Sequence, residues 1–346
     1  MIGLDRLSVI GAGLLAAALA MPAAAQDTVT VVSFGGAYQD AMRKGAYEPI
    51  ARKLGLTLKE DNLKGYADIR LQVQGGRPTW DVIEGGSQFC TRGTREGVFE
   101  KLDYSLIPNA NDIDPKLRHE GGVGGPVYFS MVMAWNPAKF ATPPKDWKDF
   151  FDVAKFPGRR AVYNQSRFMI EIGLLADGVE PDKLYPLDVR RSIAKFASIR
   201  KNISVFYTSH GQAVQLVKDG EVDMIAILNG RIDAALKDGA KWDYTFNQGI
   251  IDSGCLAVPK GAPNKVTAMK FINEFLSPDI QANLPLVFAY GPVNPKAFQT
   301  GKISAEAMKT ITSAPDNIKT QVLFNTAWWT DNEARTEAQW DEFLQK

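Results

Sequence analysis

Short β-branched runs alternate with helix-periodic segments along most of the chain. The run Thr28–Ser33 is typical of a buried strand, and from Gln39 to Leu54 apolar residues return every four positions. Two further strand-like runs, 56–59 and 80–83, enclose the helical segment 66–74. Strands that alternate with helices pack as a sheet covered by helices. We therefore predict an α/β fold.

The N-terminus has the features of an export signal. Arg6 precedes an apolar run from Leu7 to Met21, and small residues up to Ala25 follow it. The run is shorter than the roughly 20 apolar residues that a membrane-spanning helix needs. We predict that residues 1–25 are a signal peptide and that the mature protein is periplasmic. An uncleaved anchor helix is the alternative.

Composition narrows the class of protein. The 346 residues include 40 Lys and Arg against 39 Asp and Glu, and 45% are hydrophobic. This balance excludes a disordered chain and provides no basic surface for nucleic acid. Two cysteines, Cys90 and Cys255, cannot frame a fold of this length, and whether they form a disulfide stays open. Nothing in the sequence argues for more than a monomer.

Residue patterns for catalysis are missing. His119 and His210 lie in unrelated regions, with no carboxylate or cysteine at a metal-ligand spacing. The glycine pairs are not followed by the Lys-Ser/Thr of a phosphate-binding loop. We predict a protein that is not an enzyme and has no cofactor and no bound metal. A secreted enzyme that uses paired carboxylates is the alternative from a different class.

Five loops that each follow a predicted strand carry the candidate binding chemistry: 33–38, 84–88, 164–167, 229–233 and 248–252. In open α/β sheets, ligands bind at the carboxyl ends of strands. These loops combine glycines suited to an anion, aromatic residues suited to a cation, and both Asp and Arg. With Trp135, which precedes an expected interdomain crossing, the candidate ligand-binding residues are Phe34, Gly36, Tyr38, Ser87, Gln88, Trp135, Arg167, Arg231 and Asp252.

The order of short motifs carries a family resemblance. Ser33-Phe34-Gly35-Gly36 follows the first strand, Trp80-Asp81-Val82 precedes a Gly/Ser loop, and the later motifs are Gly220-Glu221-Val222-Asp223, Pro259-Lys260-Gly261-Ala262-Pro263-Asn264 and Tyr290-Gly291-Pro292-Val293-Asn294. In this order, the chain resembles the periplasmic solute-binding proteins of ABC importers, in the branch of spermidine/putrescine-binding proteins and their GABA-binding relatives. The resemblance covers nearly the whole mature chain.

The resemblance implies a type II-like fold of two hinge-linked α/β lobes with a ligand cleft between them. By this layout, lobe one comprises 26–134 plus 253–291, and lobe two comprises 135–252 plus 292–346. It also implies a membrane permease as the partner that receives the bound solute.

The resemblance also bears on the ligand. Polyamine binders carry a carboxylate at the position of Asp252, but their usual Trp partner two residues earlier is Ile250 here. Their acidic residues after the lobe-two strand are replaced by a loop that ends in Arg167, and a later loop holds Arg231. Two arginines would repel a polyamine such as putrescine or spermidine, whereas an amino-carboxylate could place its carboxylate on Arg and its ammonium on Asp252. We predict a small amine-bearing ligand and favour a GABA-like amino-carboxylate over a polyamine, which stays open; thiamine or another organic cation is the alternative.

Each candidate residue also has a structural alternative that the sequence leaves open. Arg231 or Arg167 could point into solvent or pair with Asp233. Asp252 could be a turn carboxylate that accepts backbone amides, and Trp135 could pack at the hinge. The aromatic residues of the first loop could lie at the edge of the core.

Overall fold

The computed structural model describes residues 27–346, and in this part of the chain eleven strands form one sheet. The strands are β1 (Thr28–Ser33), β2 (Thr57–Asn62), β3 (Val82–Gly86), β4 (Arg118–His119), β5 (Gly122–Trp135), β6 (Arg160–Tyr163), β7 (Ile203–Tyr207), β8 (Met224–Leu228), β9 (Asp243–Ala257), β10 (Gly291–Pro292) and β11 (Val322–Leu323). Their order is β2-β1-β3-β9-β5-β8-β6-β7; β4 and β10 pair with β5, and β11 pairs with β9. The predicted signal peptide, 1–25, lies outside the described residues.

Helices cover the sheet. They are α1 (Gly36–Met42), α2 (Glu48–Leu54), α3 (Tyr66–Gln74), α4 (Ser87–Glu96), α5 (Trp147–Phe151), α6 (Met169–Ala176), α7 (Val189–Ser198), α8 (His210–Lys218), α9 (Asn229–Lys237), α10 (Lys265–Phe275), α11 (Pro278–Val287), α12 (Ala305–Met308), α13 (Pro315–Ile318) and α14 (Thr326–Leu344). A π-helical turn, Arg43–Tyr47, joins α1 to α2, so the predicted helix continues past Gly45 with one wider turn. Within residues 27–346, no helix is both long and apolar enough to span a membrane.

Two long antiparallel strands, β5 and β9, run the length of the sheet. Trp135 at the end of β5 lies opposite Asp243 at the start of β9, and Val123 lies opposite Leu256. A register shift after Gly124 accommodates Pro126, which has no N–H for the ladder. The two strands therefore connect the two halves of the molecule as one continuous ribbon.

The apolar core falls into separate clusters on either side of the middle of β5. Val127 packs in a first cluster with residues of α10 and α11, whereas Met131 packs in a second cluster with Trp147 and Trp340. Each half of the sheet therefore has its own core and its own covering helices. The predicted two-lobed α/β fold is confirmed.

We propose lobe bounds that differ from those that the resemblance implies, because side-chain packing groups several residues differently. Met131 and Met133 belong to the second core, although 26–134 was assigned to lobe one. Val293 belongs to the first core, and Ile303 packs in a small cluster with α11, although 292–346 was assigned to lobe two. We therefore propose that the chain crosses between lobes near Ser130 and again between residues 312 and 321.

A disulfide joins α4 to β9. Cys90 and Cys255 are bonded, with their Cα atoms 5.6 Å apart, which answers the question that the sequence left open. Gly122 makes room for the bridge, since a Cβ there would lie 2.5 Å from the sulfur of Cys90. The bond fixes the helix whose first residue, Ser87, lies beside Asp252.

Candidate functional site

A cavity of about 590 Å³ lies between the two lobes and is lined by residues of both. From lobe one the polar and aromatic lining residues are Phe34, Tyr38, Gln88, Phe89, Phe129 and Tyr290. From lobe two they are Tyr163, Gln165, Arg167, Phe168, His210 and Arg231. The lining residues come from loops and helix starts that follow strands, as expected for an open α/β sheet.

Most of the predicted binding residues meet at this cavity. Six of the nine line it: Phe34, Gly36, Tyr38, Gln88, Arg167 and Arg231. Ser87 and Asp252 line a neighbouring cavity of about 450 Å³ and reach the first one by contacting Arg167. Gly35 and Gly36 have φ angles of 71° and 60°, a conformation that glycine adopts readily, and they turn the chain from β1 into α1 beside Phe34.

The structure does not bring Trp135 to the cavity. Its side chain is 5% exposed and belongs to the core of lobe two, and its backbone pairs with Met224 and Asp243. Trp135 ends β5 five residues beyond Ser130, where we propose that the chain crosses between lobes. We therefore correct the prediction and remove Trp135 from the candidate set.

Arg167 and Asp252 form an ion pair. The Nη2 of Arg167 donates to Asp252 Oδ2 and also lies 3.3 Å from Ser87 Oγ. Ser87 Oγ donates to the same carboxylate at 3.0 Å. Burial raises the pKa of Asp252, which is 3% exposed, while Arg167 lowers it. The two residues that we had assigned to opposite ends of a ligand therefore contact each other.

The rest of the Arg167 guanidinium lies between aromatic rings. Its Cζ is 4.9 Å from the ring centroid of Phe168 and 4.7 Å from that of Phe324. Its Nε is buried and has no hydrogen-bond partner among residues 27–346. A buried donor without an acceptor costs free energy, so this group is suited to an acceptor atom of a bound ligand.

Arg231 is the second arginine of the cavity, near the start of α9, and it forms no ion pair within the described part of the chain. Asp233 does not pair with Arg231 in this part of the chain and lies instead 3.0 Å from Lys237 Nζ. The Nε of Arg231 is also buried without a hydrogen-bond partner in residues 27–346. A Cβ on Gly230 would lie 2.5 Å from the ring of Tyr290, so the glycine lets this ring pack beside the start of α9.

Four lining residues of lobe two were not among the candidates: Tyr163, Gln165, Phe168 and His210. His210 begins α8, separated from the end of β7 by two residues, and its ring centroid lies 5.1 Å from that of Tyr163. Burial, followed by Arg231 and Arg167, lowers the pKa of His210 to about 4, so it is neutral at pH 7. The five loops were identified because each follows a predicted strand, and His210 also follows a strand. Tyr163 ends β6 and carried no such signal.

The two walls of the cavity differ in charge. Among the described residues that line it, none is Asp or Glu, and both arginines belong to lobe two. Tyr290 of lobe one interacts with Arg231 of lobe two: burial raises the pKa of Tyr290, and the charge of Arg231 and a hydrogen bond with it lower that pKa. In residues 27–346, no group of three or more His, Cys, Asp or Glu side chains is placed to hold a metal. The arrangement suits a ligand with a carboxylate directed at lobe two.

Comparison with known proteins places the chain in a family. A family described as bacterial extracellular solute-binding protein matches residues 46–310. A gamma-aminobutyric acid-binding protein of Pseudomonas aeruginosa is 34% identical over 95% of this chain and 93% of its own length. A spermidine/putrescine-binding periplasmic protein of Escherichia coli is 23% identical over 96% and 95%, respectively.

A solved structure supports the same assignment. The crystal structure of an ABC transporter substrate-binding protein from Bradyrhizobium japonicum is 44% identical and superposes with a TM-score of 0.88, covering 92% of this chain and 100% of that one. The family match and the 34% identical relative each extend over most of the chain, and the resemblance predicted from the motifs is confirmed. The chain belongs to the bacterial extracellular solute-binding proteins.

Proposed function

We propose that this protein is the periplasmic substrate-binding component of an ABC importer and delivers a GABA-like amino-carboxylate to a membrane permease. The importer role is supported by the ABC transporter substrate-binding protein that is 44% identical. The ligand class rests on one observation: Arg167 and Arg231 face a cavity whose described lining includes no Asp or Glu.

The same observation disfavours a polyamine. A diamine carries positive charge at both ends, and lobe two presents two arginines to the cavity. Asp252, which contacts the cavity residue Arg167, is paired with it and does not offset a second cation. Like charges in a site of reduced dielectric repel each other strongly. A carboxylate can instead accept hydrogen bonds from the unpaired Nε atoms of both arginines.

We also propose export by cleavage after Ala25. The relative from Escherichia coli is named as periplasmic. Cell fractionation of the full chain, with mass spectrometry of the recovered protein, tests this point. A periplasmic product that begins at Gln26 supports the proposal, and a full-length membrane-bound product contradicts it.

The ligand proposal is tested by thermal shift and calorimetry on the mature chain. The panel is GABA and other ω-amino acids, putrescine, spermidine, thiamine and plain dicarboxylates. Ligand at about 100 times its Kd adds about 2.7 kcal/mol, which raises the Tm of a chain of this size by several degrees. We expect a shift with amino-carboxylates and none with diamines. A shift with diamines alone contradicts the proposal.

The variant Arg231→Gln tests whether Arg231 binds the carboxylate of the ligand. Loss of a charged hydrogen bond is worth about 1.5–3 kcal/mol, so affinity for an amino-carboxylate should fall about 10- to 100-fold. Lys237→Gln is the control, since Lys237 lies on the same helix but is exposed and paired with Asp233. Equal affinity in Arg231→Gln and wild type contradicts a carboxylate at Arg231.

The protein is proposed to bind its ligand without transforming it. Membership in a solute-binding family supports this role. Ligand recovered after long incubation should be chemically unchanged by mass spectrometry. Turnover that depends on the protein would favour the alternative of a secreted enzyme.

A further inference from the structure

A buried carboxylate lies directly behind the lobe-one wall of the cavity. Glu84 on β3 is fully buried and receives one hydrogen bond from the hydroxyl of Tyr38 and another from the hydroxyl of Tyr47. Within residues 27–346, no Lys, Arg or His pairs with it. A buried carboxylate without a cation is costly to ionise. The position of Glu84 behind the cavity wall suggests that this cost serves ligand binding.

Tyr38 connects this carboxylate to the cavity. Its ring lines the cavity and meets the rings of Phe34 and Phe288 edge-on, with centroids 5.9 and 5.7 Å away. Because its hydroxyl is bonded to Glu84, the orientation of the ring is set from behind. Gly85 and Gly86, which follow Glu84 on β3, line the same wall. The carboxylate is therefore separated from the cavity by one aromatic side chain.

The opposite wall has the opposite charge. Arg167 and Arg231 belong to lobe two, and together they lower the pKa of His210 on the same side. Lobe one presents aromatic rings with Glu84 behind them. The cavity is therefore dipolar, cationic toward lobe two and electron-rich toward lobe one.

We propose that Glu84, acting through Tyr38, orients a dipolar ligand with its ammonium group against the aromatic wall of lobe one and its carboxylate against the arginines of lobe two. This inference rests on the proposed function and adds the residue that recognises the cationic end. Glu84 is a positioning residue, because Tyr38 lies between it and the cavity.

Two physical effects act in the same direction. The face of an aromatic ring attracts a cation, and a phenol whose O–H donates to a carboxylate has a more electron-rich ring. In addition, a buried negative charge is screened little by water, so its attraction for an ammonium group in the cavity is stronger than at the surface. The bond from Tyr47 fixes the second oxygen of Glu84 and keeps the carboxylate in place.

The ionisation of Glu84 falls in an accessible pH range. Burial raises the pKa of Glu84 to about 7, with the hydroxyls of Tyr38 and Tyr47 opposing the rise. The phenols that face it, Tyr38 from α1 and Tyr47 from the π-helical turn, have raised pKa values and stay neutral. Ser33 of β1 also faces it and does not titrate.

The titratable groups on the other side of the cavity can be separated from Glu84. Burial, Arg231 and Arg167 hold the pKa of His210 at about 4, below the window of interest. Asp252 is paired with Arg167, and burial raises its pKa. Affinity for an ammonium group should therefore increase as the pH rises through about 7, and the Glu84 variant identifies which carboxylate is responsible.

The test compares GABA with butyrate, which has the same carboxylate and lacks the ammonium group. Calorimetry at pH 8 should show that Glu84→Gln weakens GABA binding about tenfold and changes butyrate binding less than about twofold, as expected for a lost charge attraction. Glu48→Gln is the control: it makes the same charge change one residue past Tyr47, at an exposed position. An equal loss for both ligands overturns the inference, since it indicates a merely structural role.

A pH series gives the second readout. Wild-type affinity for GABA should rise several-fold between pH 6 and 8, and Glu84→Gln should flatten this profile. Tyr38→Phe, which removes the hydroxyl and keeps the ring, should flatten it as well and covers the case in which Glu84→Gln fails to fold. A wild-type profile that Tyr38→Phe leaves unchanged overturns the inference.

The inference and the proposed function fail in different ways. If wild type binds neither GABA nor butyrate, the proposed ligand class is wrong, and the inference falls with it. If wild type binds both with equal affinity and Arg231→Gln abolishes both, the carboxylate site stands and the role of Glu84 is overturned.

Discussion

Asp252 and Glu84 are buried carboxylates beside one cavity, and they differ in their partners. Asp252 has Arg167 within ion-pair distance, whereas Glu84 has two phenol hydroxyls. A cation offsets the cost of burying an ionised carboxylate, and neutral donors offset it less. This difference gives the two residues separate and measurable pH behaviour.

Removal of Arg167 should expose the cost of the buried charge of Asp252. Arg167→Met leaves a carboxylate that is 3% exposed without its cation, and we expect the free energy of unfolding at pH 7 to fall by about 3–5 kcal/mol. Urea unfolding measures it. The loss should shrink at lower pH, because Asp252 without Arg167 becomes easier to protonate. Arg167→Met combined with Asp252→Asn should recover most of the stability; no recovery would contradict the pairing.

Glu84 should make stability fall as the pH rises. Its pKa is about 7 in the folded protein against 4.5 for the unperturbed group, so the folded state binds the proton more tightly. Its contribution is therefore fully present below pH 4.5 and is lost as the pH rises through about 7. At 1.36 kcal/mol per pKa unit, the loss is about 3 kcal/mol. Urea unfolding of wild type and Glu84→Gln should diverge over this range, and parallel curves would contradict it.

Single residues were predictable where a local pattern marked them. Arg167 and Arg231 follow strands and were identified as cavity residues. The ion pair of Arg167 with Asp252 was not predicted, because the two residues are 85 positions apart in sequence and only the folded sheet brings them together. Glu84 was assigned to a loop, and its burial depends on Tyr38 and Tyr47, which pack against it from another element.

At the scale of elements, helices were predicted more accurately than strand ends. The helix Tyr66–Gln74 has the predicted bounds, whereas the strand-like runs 56–59 and 80–83 correspond to strands at Thr57–Asn62 and Val82–Gly86. The predicted loop 248–252 lies instead inside β9, a strand of 15 residues that contains both Gly249 and Gly254. Gly254 serves close packing, since a Cβ there would lie 2.4 Å from the carbonyl oxygen of Gly125. A glycine in the sequence can therefore indicate a close approach of two backbones within a sheet as readily as it indicates a turn.

The disulfide should be a large contributor to the stability of lobe one. Replacing Cys90 and Cys255 together by alanine removes a crosslink that closes a loop of 165 residues, and we expect the free energy of unfolding to fall by about 2–5 kcal/mol. Urea unfolding with and without a reductant measures it. The reductant should destabilise wild type and leave the double variant unchanged. An identical response of the two proteins would contradict a structural role.

At the scale of the whole molecule, a polar cluster lies where the lobes join. Ser130 of β5 hydrogen-bonds through its hydroxyl to Thr312 and Gln321, and its N–H donates to Asn229 at 2.9 Å. Asn229 in turn donates to the carbonyl of Ala289 at 2.7 Å. Side chains from four separated segments therefore meet at the crossing, and every buried polar group named here has a partner.

The two-lobed architecture came from the resemblance, since periodicity alone indicated only α/β alternation. The sequence placed the crossing after Trp135, whereas we propose a crossing near Ser130, inside an uninterrupted strand. In the middle of a strand, no local residue pattern marks the point where the chain passes from one lobe to the other. The division between lobes depends on which core each side chain enters, and that is a property of the folded chain.

Ligand binding should close the lobes about this crossing. A carboxylate held by Arg231 of lobe two and an ammonium group held at Tyr38 of lobe one connect the two walls, so the bound state favours a smaller distance between lobes. Small-angle scattering with saturating GABA should show a smaller radius of gyration for wild type. Arg231→Gln at the same GABA concentration should keep the larger value, because it lacks one of the two contacts. A saturated wild type with an unchanged radius would show that binding does not move the lobes.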